Sequence, residues 1–305
     1  MNKKIRGVFA AVPTPFTEDF KPDFEMFFEH CDWIIDSGCD GLNVLGSTGE
    51  ANSQSGKARA DIMRAVSKSA LNRATLMVGT GTPSLDDTIE LTQLAVDLDF
   101  DAALVLPPYF YSGVSDDGLF EYFSRLVNAV KSRHTGIYLY NFPQMTGLTF
   151  SPALVARLIE EFPEQIRGMK DSSGDMEYAN HMAETFAGRF DVFPGSEATL
   201  ADAAKFGYAG CISASVNATA ELSAQIWRQH ETVSDADRTK LTDMRSAIAS
   251  VPIVAAAKAL TAIRSGRNDW CRMMPPLVEL NEEQQQSISV VADTLGFSSA
   301  TANAG

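Results

Sequence analysis

The sequence predicts a (β/α)8 barrel with a C-terminal helical extension, and three observations predict it. Eight short, nearly continuous apolar runs recur along the chain, as parallel strands covered on both faces require. Stretches with helical spacing of apolar residues alternate with them. The 305 residues, 45% of them hydrophobic, suffice for one large barrel or two ordinary domains. A doubly wound open sheet is the competing architecture. No GxGxxG follows the first run and no GxxxxGK[ST] occurs, so its usual nucleotide signatures are missing.

The first strand is predicted at 7–12 (GVFAAV), followed by a helix at 23–37 with Phe24, Phe27, Phe28, Cys31, Ile34 and Ile35 near helical spacing. Strand two (41–45, GLNVL) precedes a helix at 54–71, and strand three (75–79, TLMVG) one at 85–97. Strand four (102–106, AALVL) leads to 116–131, and strand five (136–140, GIYLY) to 151–161. Strand six (166–170, IRGMK) leads to 175–187, and strand seven (191–194, DVFP) to 197–206. After strand eight (209–213, AGCIS) come helical patterns at 217–232, 235–249, 252–265 and 282–295. A barrel needs one closing helix there. Residues 1–225 are therefore assigned to the barrel, and 226–305 to a helical extension packed on it as a wall of the site or an oligomer contact. The closing FSSATANAG is small and polar and is predicted to fray.

A net charge of −14 argues against nucleic-acid and anionic-membrane partners, which need a basic patch. Any anionic substrate needs a local site working against that global field. Cys31, Cys39, Cys211 and Cys271 form no CxxC pair and read as small hydrophobes in a reducing compartment. The N-terminal apolar run is short and ends in two prolines, a poor signal peptide, and no stretch approaches the roughly 20 apolar residues of a membrane span. A cytoplasmic protein is expected.

In a barrel, chemistry sits where the strands end. Gly46-Ser47-Thr48-Gly49-Glu50 follows strand two: glycines permit a tight turn, and two adjacent hydroxyls with their own amides make a small anion cradle suited to one carboxylate. An ordinary turn capping the next helix would look the same. Tyr140 ends strand five, either packed or as a proton shuttle. Strand six ends in Lys170, beside Asp171; a solvated lysine or a simple ion pair is the bland account. His30, His181 and His230 fall in helical patterns and His134 in a turn, so no histidine reaches a strand end for metal binding or a Ser–His pair, and no metal ligand is assigned. A lysine, a tyrosine and a hydroxyl cradle together suit covalent amine catalysis on a carbonyl compound bearing a carboxylate.

GSTGE, YNFPQMTG (140–147), GMKDSSGD (168–175) and GCISASVN (210–217) occur in order, and with them the chain resembles the dihydrodipicolinate synthase / N-acetylneuraminate lyase family of pyruvate-dependent class I aldolases. The resemblance implies a Schiff base on Lys170, proton transfer by Tyr140, and a 2-oxo acid carboxylate held by Ser47 and Thr48. It also implies a pocket drawn from Gly46, Ile212, Gly195, Glu197, Phe110 and Met145. It implies no metal or organic cofactor, pyruvate with an aldehyde or sugar-acid derivative as small-molecule partners, and a homo-oligomer, dimer or homotetramer.

Two positions depart from the synthases. Met145 stands where they carry a carboxylate-binding arginine, and Phe110 where a relay tyrosine stands. Glu197 is followed by Ala198, where sialate lyases place two adjacent acids. The KDSSGD stretch is closer to aldolases and dehydratases of 2-oxo-3-deoxy sugar acids. The expected activity is therefore reversible C–C cleavage or dehydration of such an acid. Condensation of pyruvate with aspartate semialdehyde and N-acetylneuraminate cleavage are the alternatives, and a non-catalytic metabolite-binding barrel is the third. Arg264 and Arg267, in or just after a tail helix, are the candidates to replace the missing arginine.

Overall fold

All eight apolar runs are strands in the computed structural model, which describes residues 5–132, 134–229 and 232–297. They are β1 (Gly7–Ala11), β2 (Gly41–Val44), β3 (Thr75–Gly79), β4 (Ala102–Val105), β5 (Gly136–Asn141), β6 (Ile166–Asp171), β7 (Asp191–Pro194) and β8 (Gly210–Ser213). Neighbours pair in parallel in the order β7-β6-β5-β4-β3-β2-β1-β8. Ala209 bridges the remaining seam: its amide donates to the Val192 carbonyl at 2.9 Å, and its carbonyl accepts from Gly7 at 2.8 Å. The sheet thus curls into a (β/α)8 barrel.

The strands read as unbroken apolar runs because each is covered twice. Outside, they pack on α1 (Phe24–Asp36), α2 (Gly56–Ser67), α3 (Leu85–Asp97), α4 (Asp116–Val130), α6 (Pro152–Glu161) and α7 (Met176–Thr185). Inside, Phe9, Met77, Leu104, Tyr138, Phe193 and Ile212 meet in one cluster. Barrel interiors are usually aliphatic, but this one is built around aromatic rings. Phe9 and Tyr138 both meet Phe193 edge-on, at centroid distances of 5.8 and 6.0 Å. Strand six makes room by giving up a side chain: a Cβ on Gly168 would lie 2.4 Å from the Tyr138 ring.

Helix starts follow from their caps. Asp23, Ser55, Ser84, Ser115, Ser151 and Asp175 each accept a bond from a first-turn amide, contributing about 1 kcal/mol apiece. Two regions differ from the sequence expectation. After β5 the chain makes a one-turn helix, α5 (Pro143–Thr146). The predicted helix at 197–206 is instead a 3-10 segment, Glu197–Asp202, followed by a single turn, α8 (Ala203–Phe206). Its first residue is pulled inward: the Glu197 carboxylate accepts from Ser213 at 2.6 Å, Ser215 at 2.8 Å and Thr219 at 3.1 Å.

Beyond β8 lie α9 (Val216–Arg228), α10 (Asp235–Ala249), α11 (Ile253–Ser265) and α12 (Glu282–Thr294). They share an apolar cluster that includes Ala218, Ile248, Leu260, Ile288 and Val291. The helix predicted at 217–232 stops at Arg228, while His230 and residues 298–305 of the polar terminus lie outside the described residues. Among the described residues no single helix is long and apolar enough to cross a membrane. Cys31, Cys39 and Cys211 are buried, Cys271 is half-buried, and all four are free.

Candidate active site

The last residues of β5 and β6 set the centre of the site. Tyr140 and Lys170 are register partners on these parallel strands, as are Asn141 and Asp171. Register partners share a face, so Tyr140 and Lys170 point together into the barrel mouth. The Lys170 ammonium lies 4.6 Å from the centre of the Tyr140 ring, and Phe142 stacks on that ring at 5.7 Å. Both residues are buried, at 3% and 5% exposure.

Asp171 is not the partner of Lys170. Its side chain turns the other way and accepts from Asn141 at 2.7 Å and from the Ser173 amide and hydroxyl at 3.2 and 2.9 Å. Burial pushes the Asp171 carboxyl up, and these bonds oppose that shift. The segment that follows is an Asx-type turn into the Asp175 cap of α7. Lys170 thus has no carboxylate partner among the described residues.

The cradle is a double turn, with Gly49 N donating to Gly46 O and Glu50 N to Ser47 O, both at 3.1 Å. Two strained non-glycine residues flank it: Leu45 and Glu50 both have φ of 55°. Gly79 lets the loop cross the end of β3, since a Cβ there would lie 2.0 Å from the Leu45 carbonyl oxygen. Thr14 and Gln54 both donate to Gly49 O at 2.8 Å. Neither the amides nor the hydroxyls of Ser47 and Thr48 have a partner among the described residues. They are four donors left for an oxyanion.

The loop is held from the tail by a residue that sequence reasoning missed. Lys258 of α11 forms an ion pair with Glu50, and both side chains are wholly buried. Glu50 also accepts from Met274 N at 2.7 Å, and the Lys258 ammonium donates to Arg272 O at 2.7 Å. Burial pushes the Glu50 carboxyl up and the Lys258 ammonium down, and their mutual attraction opposes both shifts.

One cavity of about 230 Å³ brings together Ser47, Thr48, Tyr140, Lys170, Met145 and Gly195. Gly46 borders a smaller adjoining void with Ser47 and Tyr140. Its missing side chain admits Asn43, whose Nδ2 would lie 2.6 Å from a Cβ there. Ile212 lies in the interior cluster with Tyr140 and does not line the cavity. Glu197 is 0% exposed and sits behind the wall, bound to its three hydroxyls. Phe110 is not in the pocket of its own chain: it is 84% exposed, with φ of 99°, on the loop after β4 and edge-on to Tyr111.

The tail arginines expected at the mouth are elsewhere. Arg264 stacks over Trp33 at 4.0 Å and bonds His30, while Arg267 pairs with Glu29 at 2.8 Å. Arg245 of α10 lines the cavity instead. No group of three or more His, Cys, Asp or Glu able to hold a metal ion occurs among the described residues. The arrangement gathers an amine, a phenol beside it and the unpartnered donors of Ser47 and Thr48 within one enclosure.

Comparison with known proteins gives a consistent family. The model described as the dihydrodipicolinate synthetase family matches residues 4–295. An uncharacterized DapA-like lyase of Chloroflexus aurantiacus is 31% identical over 283 residues, covering 91% of this chain and 93% of that protein. A probable 2-dehydro-3-deoxy-D-pentonate aldolase of Escherichia coli, YjhH, is 28% identical over 97% of this chain and 99% of its own length. Among solved structures, YagE of E. coli in complex with pyruvate superposes with a TM-score of 0.87 at 28% identity, covering 97% of this chain and 100% of that one.

Proposed function

The chain belongs to the dihydrodipicolinate synthetase family, and from that membership we propose a class I lyase that cleaves or dehydrates a 2-oxo-3-deoxy acid through a Schiff base on Lys170. The observation that carries the residue assignment is the Lys170–Tyr140 register pair facing the unpartnered donors of Ser47 and Thr48 within one cavity. Pyruvate as donor or product is supported by the likeness to the pyruvate complex of YagE, and a 2-oxo-3-deoxy acid by the likeness to YjhH.

The Lys170 amine attacks C2 of the 2-oxo acid, and the C2 hydroxyl leaves as water with the Tyr140 proton, giving an iminium and a Tyr140 phenolate. Ser47 and Thr48 hold the adjacent carboxylate, which fixes C2 over the nitrogen. The iminium accepts the electron pair of the C3–C4 bond while Tyr140 takes the C4 hydroxyl proton, giving an enamine and an aldehyde. Reprotonation at C3 and hydrolysis release pyruvate and regenerate the amine. In dehydration the same iminium acidifies C3, and the C4 hydroxyl leaves with a proton. The pocket mouth bears Met145, 72% exposed, in place of the synthases' arginine, which disfavours the condensation reading; the guanidinium that lines the cavity, Arg245, reaches it from α10 instead.

We also propose a homo-oligomer, dimer or tetramer, in the reducing cytoplasm. The adjacent exposed rings of Phe110 and Tyr111 support the first, and the four free cysteines support the second.

The test is borohydride reduction in the presence of pyruvate, followed by peptide mapping and a panel of 2-oxo-3-deoxy acids with product identification. Modification confined to Lys170 with turnover of a panel member is the expected result. An unmodified chain, or a label on another lysine, would overturn the assignment.

A further inference from the structure

Arg245 is the cation of the cavity that the chemistry above leaves unused. It reaches the enclosure from α10, and one of its nitrogens, Nη1, donates to Ser215 Oγ at 2.9 Å. Its remaining donors have no acceptor among the described residues. The two carboxylates nearby are already engaged. Asp171 is taken up by Asn141 and Ser173. Glu197 is taken up by Ser213, Ser215 and Thr219. Ser215 stands between Glu197 and Arg245 and bonds both, so the guanidinium is oriented without being neutralised by direct contact. Ile253 and Val254 of α11 line the same wall and keep its surroundings apolar. A half-buried guanidinium in such a wall lacks an anion.

We propose that Arg245 is a specificity-determining residue that binds a second carboxylate at the far end of the substrate. This rests on the Schiff-base reading of Lys170. It makes the substrate a 2-oxo-3-deoxyaldarate, a chain carrying carboxylates at both ends, one on Ser47 and Thr48 and the other on Arg245. Among the residues lining the cavity, Lys170 and Arg245 are the only cations. One planar guanidinium matches a carboxylate, whereas a dianionic phosphate ester would call for more positive charge than the wall supplies. In a chain of net charge −14, a substrate with two anionic ends needs both local sites.

The experiment uses the full chain and three substrates of equal carbon count: a 2-oxo-3-deoxyaldarate, the corresponding aldonate with a neutral hydroxymethyl end, and the terminal phosphate ester of that aldonate. In wild type, kcat/KM is expected to be highest for the aldarate. Arg245→Met is expected to lower the aldarate-to-aldonate ratio of kcat/KM roughly 10- to 100-fold, the worth of one charge-assisted hydrogen-bonded contact, and Arg245→Lys to restore part of it. Equal losses on both substrates would mean that Arg245 only ties α10 to Ser215, and would overturn the proposal. So would a wild-type preference for the aldonate or the phosphate ester, or no aldarate turnover in an enzyme that traps pyruvate. Borohydride trapping of pyruvate by the wild type is run alongside. If Lys170 is not labelled, the underlying reading falls and Arg245 with it; if it is labelled, the ratio alone decides.

Discussion

Tyr140 and Lys170 face each other across adjacent parallel strands, with the ammonium 4.6 Å from the centre of the phenol ring. An amine held over a ring that also carries a proton donor is placed for imine chemistry and for proton transfer by two separable groups. Lys170→Ala is therefore expected to abolish turnover and borohydride trapping together. The fold should persist, because the outer helix–strand clusters do not involve this side chain. Circular dichroism and mass mapping of the pyruvate-treated variant check both halves; residual trapping would place the nucleophile elsewhere.

Tyr140→Phe separates the two groups. The ring and its stacking on Phe142 remain, and only the hydroxyl is lost. Imine trapping should continue while turnover falls by about 10²–10⁴-fold, the usual contribution of a general acid–base group. A variant within a few-fold of wild type would make Tyr140 a packing residue.

Lys258→Met should be among the most destabilising single changes in the tail. It leaves Glu50 buried without its counter-charge, which costs about 3–5 kcal/mol. Glu50→Gln keeps an acceptor for Met274 N, so the double variant should be more stable than Lys258→Met alone. Denaturant unfolding of the three proteins measures this. A double variant no better than the single one would show that charge is not the cause.

His30 gives a pH signature. Arg264 can only donate to its Nδ1, at 3.0 Å, so the other ring nitrogen carries the proton and donates to Asn217 Oδ1 at 3.0 Å. Burial, reinforced by Arg264, lowers its pKa from 6.5 to about 3. The unfolded chain binds a proton below 6.5 that the folded chain refuses, so this stability is full above pH 6.5 and is lost as pH falls toward 3. The slope is at most about 1.4 kcal/mol per pH unit. Melting curves from pH 7 to 5 should fall more steeply for wild type than for His30→Gln; equal slopes would contradict the buried neutral ring.

The substrate argument is tested by aspartate semialdehyde. With Met145 at the mouth, condensation of the semialdehyde with pyruvate should be poor. A kcat/KM near 10⁵ M⁻¹s⁻¹, on the ordinary enzyme scale of about 10⁴–10⁸, would show that an arginine at position 145 is not needed for that condensation.

The strands were legible because helices and interior both cover them, leaving almost no polar interruption from Val8 to Ile212. Lys170 and Tyr140 stood out as polar ends on such runs. Helix starts were legible through serine and aspartate caps, but the 197–206 stretch was not. Its helical pattern was overridden by three hydroxyls, from Ser213, Ser215 and Thr219, that draw Glu197 inward. Arg245 and Lys258 were invisible for a different reason. A cation on a tail helix looks solvated until packing turns it toward the barrel, and nothing in local spacing separates these two from Arg264 and Arg267. Phe110 was expected in the pocket from the family resemblance alone, yet its loop carries it outward.

The Glu50–Lys258 pair also orders events during synthesis. The last strand ends at Ser213, so a growing chain can hold all eight strands while Lys258 is still unmade. Until that residue arrives, the carboxylate of Glu50 lacks the charge that permits its burial, and the strained loop carrying Ser47 and Thr48 keeps its bonds from Thr14 and Gln54 but lacks its clamp from the tail. A truncation ending between the two points is therefore expected to yield a barrel with a slack anion cradle. Full order in the cradle is expected only once Lys258 has emerged, well after the barrel's strands.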